Sequence, residues 1–593
     1  MTVRRVLVAL LALLALGLSG CVSLPREGAV RSVTAVDQAD SDTLVDYTPG
    51  GPKKGSDPVP LVDNWLKAMT ATPLNTSVAR QFLTSDSRPG WVPERGTLVY
   101  GSHSLTSLPG RKVRLHLSDV AALDDRGTWL GDPTGGKGMD VELSMVKDNG
   151  EWRINRPPNR LVIPLTHFDT QYQQYFLYFF DKAGQTLVPE PVYMPRGLQA
   201  PTLLVSALLK GPLAGLQGVE DTLVPAGTKL DGLSVPVARD GTAEVPLSDQ
   251  VLDVDDDNQL NMLFAQLSWT LGQIAGVERM RVTVGGTPVD LPGARADVSV
   301  NQWSEFDPAL AWASTALFGI RDGRVVTLTG NQETRVGGPF GTLTVGLRSI
   351  AVDLPAQHVA GVSTDGTRVL ESDKEQSSGP ASLADVHTVY SGGTNVLRPA
   401  YDLYGQMWVL DRTGSGARLS VVRAGSAAPV EAPGVTGEQV LRFVLSRDGT
   451  RLVAQVRDAD GRDSLVVSRI ERDGKGRVRA VLPARVLRLE GADASAIQDL
   501  AWRTPGSLAV LSGPTEATSQ VLIVKIDGSS TPEDLSTDAE LFRDQAVRLV
   551  TSPSVGSPLY IRTARGQMFS LAASGRWTGA SIEPGLGSPT YPG

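Results

Sequence analysis

Cysteine is almost missing from this chain: among 593 residues only Cys21 is one. No disulfide can therefore form within the chain, and no spare thiol is left for nucleophilic work once Cys21 is committed elsewhere. Histidine is nearly as scarce. His103, His116, His167, His358 and His387 are the five, none spaced as a metal ligand and none in a His-Glu-x-x-His pattern, so each reads as a strand or surface residue. An excess of positive charge is lacking too. Lys and Arg number 56 against 64 Asp and Glu, a formal net charge of −8, so nucleic acid is not an expected partner. Neither a Gly-x-Ser-x-Gly elbow nor a Gly-x-x-x-x-Gly-Lys-Ser/Thr loop occurs, which leaves serine hydrolysis and phosphate cradling without a signature. The run Asp253-Val254-Asp255-Asp256-Asp257-Asn258 starts like a calcium loop but lacks glycine at its sixth position and glutamate at its twelfth; it reads as the acidic cap of a helix. These absences predict a protein that is not an enzyme and carries no cofactor or metal.

What is present begins at the amino terminus. Arg4 and Arg5 precede an apolar stretch from Val6 to Leu18, too short to span a bilayer, which takes about 20 apolar residues, but right for the core of a cleaved secretory signal. It ends in Leu18-Ser19-Gly20-Cys21, which resembles the bacterial lipobox. That resemblance implies cleavage between Gly20 and Cys21, an S-diacylglycerol thioether on the Cys21 thiol and an N-acyl chain on its amine. Two or more acyl chains hold a protein stably on a membrane where one does not. No second long apolar run follows, so the expected location is the extracytoplasmic face of the cell membrane, reached by lipid alone.

The rest divides by composition and periodicity. Residues 1–20 are the signal, and residues 21–57, rich in Ser, Thr, Asp, Gly and Pro, form a flexible tether. Residues 58–165 open with Leu61, Trp65, Leu66 and Met69 at helical spacing. A second short helix is predicted at 76–83 and strands at 97–105, 112–123, 139–146 and 151–154, the last two joined by an Asn149-Gly150 hairpin turn. That element order resembles an NTF2/cystatin-like α+β domain. Residues 169–292 are predicted to hold a strand of alternating aromatics at 171–180, a helix begun by Pro201, strands at 229–237 and 242–246, an amphipathic helix carrying Leu260, Leu263, Phe264, Leu267 and Leu271, and a closing strand at 279–284. The segments Tyr175-Phe176-Leu177-Tyr178-Phe179, Leu208-Leu209-Lys210-Gly211-Pro212, Val224-Pro225-Ala226-Gly227-Thr228 and Val282-Thr283-Val284-Gly285-Gly286 resemble the GerMN domain of sporulation and germination proteins, a family of interaction modules.

Residues 309–579 carry an imperfect repeat. Ser363-Thr364-Asp365-Gly366-Thr367-Arg368-Val369-Leu370 matches Ser446-Arg447-Asp448-Gly449-Thr450-Arg451-Leu452-Val453, and weaker copies surround Gly323, Gly405, Gly506 and Gly556. A glycine every 40–57 residues is close to a propeller-blade period of about 40–50 and predicts a β-propeller of about six blades, followed by a tail at 580–593. Trp303, Trp312, Trp408, Trp502 and Trp577 lie in or beside it and are expected to pack between blades.

This order of signal, tether, α+β domain, GerMN domain and propeller, with Cys21-Val22-Ser23-Leu24-Pro25 at the mature start and Trp152-Arg153-Ile154 leading to Pro157-Pro158, resembles the LpqB family of actinobacterial lipoproteins. Arg far outnumbers Lys, as in proteins of GC-rich genomes. The resemblance implies an accessory of a two-component system that binds the extracytoplasmic domain of an MtrB-like sensor histidine kinase, the partner of response regulator MtrA, and modulates its output in cell-wall homeostasis and division. The competing reading is a lipoprotein that binds cell-wall glycan or peptide, peptidoglycan included, in the propeller funnel; a propeller hydrolase comes third. A glycan binder predicts aromatic and carboxylate side chains converging on the propeller axis.

Overall fold

Leu61, Val62, Trp65 and Leu66 fall on one face of a helix over Pro58–Ala68, entered through Pro58 at its first turn, and that face is fully buried. The computed structural model in which this is seen describes residues 47–593 apart from 255, 292–295, 331, 377, 490–492, 516 and 530–539. Gly20, Cys21 and the signal segment lie outside the described residues. Among the described residues no helix is long and apolar enough to cross a membrane.

The first helix packs against a six-stranded sheet. Long strands Thr97–Leu108 and Lys112–Leu123 pair antiparallel, Met139–Asp148 and Glu151–Asn155 extend that meander, and Leu161–Pro164 adds in parallel beside Thr97–Tyr100. Asn149 and Gly150 take φ of 52° and 83°, the left-handed pair that a tight hairpin matching strand twist requires. The parallel strand is only four residues long and pairs with a strand about 60 residues earlier, which is why the sequence reading passes over it.

The second unit has two small sheets. In one, Tyr172–Asp181 lies between Leu187–Pro195 and the short Glu220–Asp221; in the other, Thr242–Leu247 runs parallel to Arg279–Val284. Helices Ala200–Leu208 and Asp257–Leu271 pack between them around Leu204, Leu263, Phe264 and Leu267. The strand predicted at 229–237 is not regular: only isolated bridges form there, Leu230 to Leu247 and Val237 to Ala243. Leu187–Pro195 is a strand despite three prolines. It is an edge strand, and Pro189 and Pro191 face Tyr178 and Phe176 at alternate positions, so the missing N–H groups fall on the outer edge where no ladder bond is needed.

The core does not stop at the boundary between the first two units. Phe168, Tyr172 and Tyr193 pack with Trp129 of the first sheet. Gly127 donates no side chain there for good reason: its φ is +83° and an added Cβ would stand 2.5 Å from the Tyr193 carbonyl oxygen, while Tyr193 N–H donates to the Gly127 carbonyl at 2.8 Å.

Six antiparallel sheets follow, the six blades. The first strands of the second to sixth are Leu347–Val352, Ala400–Tyr401, Gln439–Leu445, Ile497–Thr504 and Ala546–Val550. Leu347–Val352, Ala400–Tyr401, Gln439–Leu445 and Ile497–Thr504 each touch the corresponding strand of the next blade, which puts these strands around the axis. The first blade takes its axial strand from the other end of the chain: Gly587–Thr590 pairs with Leu317–Arg321. Residues 580–593 are therefore not a tail, because the ring needs that strand to close. The Asp-Gly turns mark hairpins, but not equivalent ones. Asp448-Gly449 joins the first and second strands of its blade, whereas Asp365-Gly366 joins the second and third.

Candidate functional site

The five histidines stay apart. His103 is 3.4 Å from Asp63, His116 is 2.6 Å from Asp140, and His358 lies between Asp353 at 2.9 Å and Asp373 at 3.5 Å. Burial pushes His167 down to about 4, so it is neutral at physiological pH. No group of three or more His, Cys, Asp or Glu among the described residues could hold a metal ion. The acidic run before the amphipathic helix caps it: the Asp256 carboxylate accepts from Asn258 N–H at 2.8 Å and Gln259 N–H at 2.9 Å, which suits the positive end of the helix dipole.

Titratable groups gather instead where the GerMN-type unit meets the fourth blade. Arg451 is 1% exposed. Its guanidinium donates to Glu190 Oε1 at 2.7 Å, to the Pro189 carbonyl at 2.6 Å and to Asp448 Oδ2 at 2.8 Å. The proline edge strand thus turns its outward carbonyl to the propeller. Arg469 reaches Glu190 at 2.6 Å and Glu220 at 3.4 Å. Burial raises the Glu190 carboxyl, but Arg469 and Arg451 outweigh that and hold it below its ordinary value. Glu220 goes the other way: burial raises it well above the usual carboxylate range, and the Glu190 charge raises it further. Glu190 therefore gives up its proton before Glu220, as expected for two carboxyl groups sharing a dry site. Beside them Tyr404 donates from its hydroxyl to Asp181, under the Arg472 guanidinium 4.7 Å from its ring, and Arg472 pairs with Asp402 at 2.8 Å. Farther along, Tyr193 bonds Ser529, Gln174 donates to Asp527 at 3.3 Å, and Arg488 pairs with Asp132 of the first unit at 3.0 Å. The propeller is thus bonded to both preceding units. A buried pair of this kind costs desolvation to assemble and far more to half-dismantle, so it ties the second unit to the propeller.

The propeller axis holds two cavities. One, about 280 Å³, is lined by Arg348, Arg398, Arg412, Arg442 and Arg548 with Asp499 as the single acid. The other shares Arg398, Phe443, Val444 and Leu500 with it and is lined farther on by Trp502, Tyr591 and Arg447. Phe443 is the aromatic side chain at the arginine mouth, and Trp502 and Tyr591 line the adjoining cavity. Trp408 is buried and donates to Asp402 at 2.9 Å; Trp303 is buried in the GerMN-type core and donates to Asn261 at 2.9 Å; Trp502 is buried; Trp577 donates to the Glu540 carbonyl. Packing is thus their role. Trp312 is the exception, half exposed. The arginine mouth was open to discovery in the sequence, because Leu347-Arg348, Leu397-Arg398 and Leu441-Arg442 repeat the same dipeptide; a search keyed on glycine turns does not find it.

Comparison with known proteins accords with this architecture. Residues 51–169 match the family model of the lipoprotein LpqB N-terminal domain, residues 176–290 a model described as sporulation and spore germination, and residues 323–592 the lipoprotein LpqB beta-propeller domain. The chain is 28% identical to lipoprotein LpqB of Thermobifida fusca over 98% of both chains, and 29% identical to lipoprotein LpqB of Streptomyces coelicolor over 87% of both. Among solved structures, the first GerMN domain of the sporulation protein GerM from Bacillus subtilis aligns at 20% identity, covering 21% of this chain and 97% of that one with a TM-score of 0.19. The three family models follow one another along the chain in the order of its three folded units, and the chain belongs to the LpqB lipoprotein family.

Proposed function

We propose that this protein is anchored through acylated Cys21 to the extracytoplasmic face of the cell membrane, where it binds the extracytoplasmic domain of an MtrB-like sensor histidine kinase and modulates its signalling in cell-wall homeostasis and division. The observation that carries this reading is membership of the LpqB family over nearly the whole chain. The domain junctions support it: bonds between the three units hold them together as a body that a partner can recognise. A lipid tether confines that surface to a layer near the kinase and raises its effective concentration. Preferential binding to one sensor conformation then shifts the kinase equilibrium by the difference in affinity. Glycan or peptide binding in the propeller funnel is the alternative. It calls for aromatic platforms at the axis, where one cavity presents guanidinium groups and the adjoining one is lined by Phe443, Trp502 and Tyr591.

Gentle crosslinking followed by purification from solubilised membranes tests the proposal. Recovery of the sensor kinase is expected, and its repeated absence from the crosslinked material overturns the reading. Cys21→Ser is expected to abolish lipid labelling and to release the folded domains from the membrane fraction, read by immunoblot of membrane and soluble fractions.

A further inference from the structure

The axial segments of the six blades share one sequence position, within the strand in five blades and just before Ala400–Tyr401 in the third. Aligned on their apolar residues, they read Leu347-Arg348-Ser349-Ile350, Leu397-Arg398-Pro399-Ala400, Leu441-Arg442-Phe443-Val444, Gln498-Asp499-Leu500-Ala501, Val547-Arg548-Leu549-Val550 and Gly587-Ser588-Pro589-Thr590. The second position is Arg, Arg, Arg, Asp, Arg and Ser. Cross-blade bonds tie three of these residues to the next blade: Ile350 N–H donates to Ser588 Oγ at 3.0 Å, Leu549 N–H donates to Asp499 Oδ2 at 3.0 Å, and Arg548 stands 3.8 Å from Asp499; Arg348, Arg398, Arg442, Asp499 and Arg548 line one cavity. Strand pairing shifts register at or next to this position in the second, fourth, fifth and sixth blades. Such bulges re-aim side chains and gather beside functional sites.

The charge at this level does not balance. Arg412, from the neighbouring strand, adds a fifth guanidinium, and Asp499 is the only carboxylate lining the cavity. Arg348 is tied to Asn395 Oδ1 at 2.9 Å and to the Val396 carbonyl, Arg442 to Gln455 Oε1 at 2.5 Å, and Arg398 to the Pro589 carbonyl at 3.5 Å. These partners are neutral. Arg412 Nε is buried and without a hydrogen-bond partner among the described residues. Burial lowers the proton affinity of Arg398, Arg412 and Arg442; for Arg398 and Arg442 Asp499 works against this and Arg548 adds to it, and Arg348 lowers Arg412 further. The guanidinium groups therefore repel one another across the cavity. Guanidinium forks are matched to planar or tetrahedral oxyanions, and a cavity of about 280 Å³ stands near the lower bound of small-ligand sites, roughly 300 Å³.

We infer that this mouth of the propeller axis is a binding site for a small multivalent oxyanion, a molecule bearing two or more phosphate or carboxylate groups, with Arg348, Arg398, Arg412, Arg442 and Arg548 as its cationic wall and Asp499 setting its orientation by repulsion. The site is independent of the kinase-binding reading.

Isothermal titration of the detergent-solubilised full chain with pyrophosphate, and separately with citrate, tests the inference. Saturable one-to-one binding of at least one probe is expected, weakened about tenfold or more in Arg348→Gln and in Arg548→Gln, since each removes a charge-assisted fork. Pyrophosphate binding alone assigns phosphate chemistry, citrate binding alone polycarboxylate chemistry, and both support the oxyanion class. Asp499→Asn is expected to tighten binding, because the amide keeps an acceptor for Leu549 N–H while the competing charge is removed. That opposite sign is a readout which general damage to the fold does not give. Absence of saturable binding of either probe in the millimolar range, or equal affinity in the wild type and both arginine variants, overturns the inference.

Discussion

Two regions of this molecule are built from arginine, and they differ in what the arginines face. At the junction between the GerMN-type unit and the fourth blade, Arg451 and Arg469 meet Glu190, Glu220 and Asp448 at bonding distance, and the neighbouring proline edge strand contributes a carbonyl. At the axial mouth, five guanidinium groups surround a single carboxylate. Matched charge in a dry interface specifies how two units sit together. Unmatched charge around a cavity costs stability and awaits a counterion. The same residue type thus does structural work in one place and recognition in the other, and what decides between them is the local count of acids.

The comparison breaks most sharply at Arg451. Arg451→Met leaves Glu190 and Asp448 buried with one cation fewer and is expected to cost about 3–5 kcal/mol, seen as a lower urea midpoint and as protease cleavage between the second unit and the propeller. The junction of the first two units offers a control without charge. Gly127→Ala places a methyl against the Tyr193 carbonyl at positive φ and is expected to cost about 1–3 kcal/mol, measured in the same way. Glu220 sharpens the picture through pH. Its folded value is raised above the unfolded carboxyl value of about 4.3, so its favourable contribution is complete below that value and is lost as pH rises through the folded one. Glu220→Gln is expected to leave stability near pH 4 unchanged and to raise it at pH 7.5, flattening the pH profile of thermal unfolding. The smallest effect is expected at the mouth: Arg548→Gln removes one of several like charges from a half-exposed position and shifts stability by no more than about 0.5 kcal/mol. A loss as large as that of Arg451→Met would erase the distinction between the two regions.

Much of this architecture is legible in the sequence because it is written in local signals. Leu61, Trp65 and Leu66 announce a helix by spacing, Asn149-Gly150 announces a hairpin by its φ requirement, and Leu260 through Leu271 announce the long helix. Recurring glycine turns suffice to count six blades, although they mix two kinds of hairpin. The features that escape are those fixed by partners distant in the chain. Pro189 and Pro191 argue against a strand until Tyr172–Asp181 and Arg451 are seen to supply both of its sides. Lys229–Val237 has the composition of a strand but finds no continuous partner. The arginine mouth is assembled one residue per blade, so no window of sequence contains it, and its trace is the returning Leu-Arg pair.

Closure of the first blade by Gly587–Thr590 against Leu317–Arg321 bears on the order of events as the chain is made and exported. The cost of closing a loop grows only logarithmically with its length, so the clasp is affordable at equilibrium. Its effect is on timing. Domains form as the chain emerges, amino-terminal units first, and five blades can assemble while the sixth interface still lacks its strand. Until then Leu317–Arg321 is an open edge of the kind that pairs with other chains. The propeller is thus an arc before it is a ring, and both the completion of the axial cavity and protection from edge-to-edge association arrive together, with the last strand.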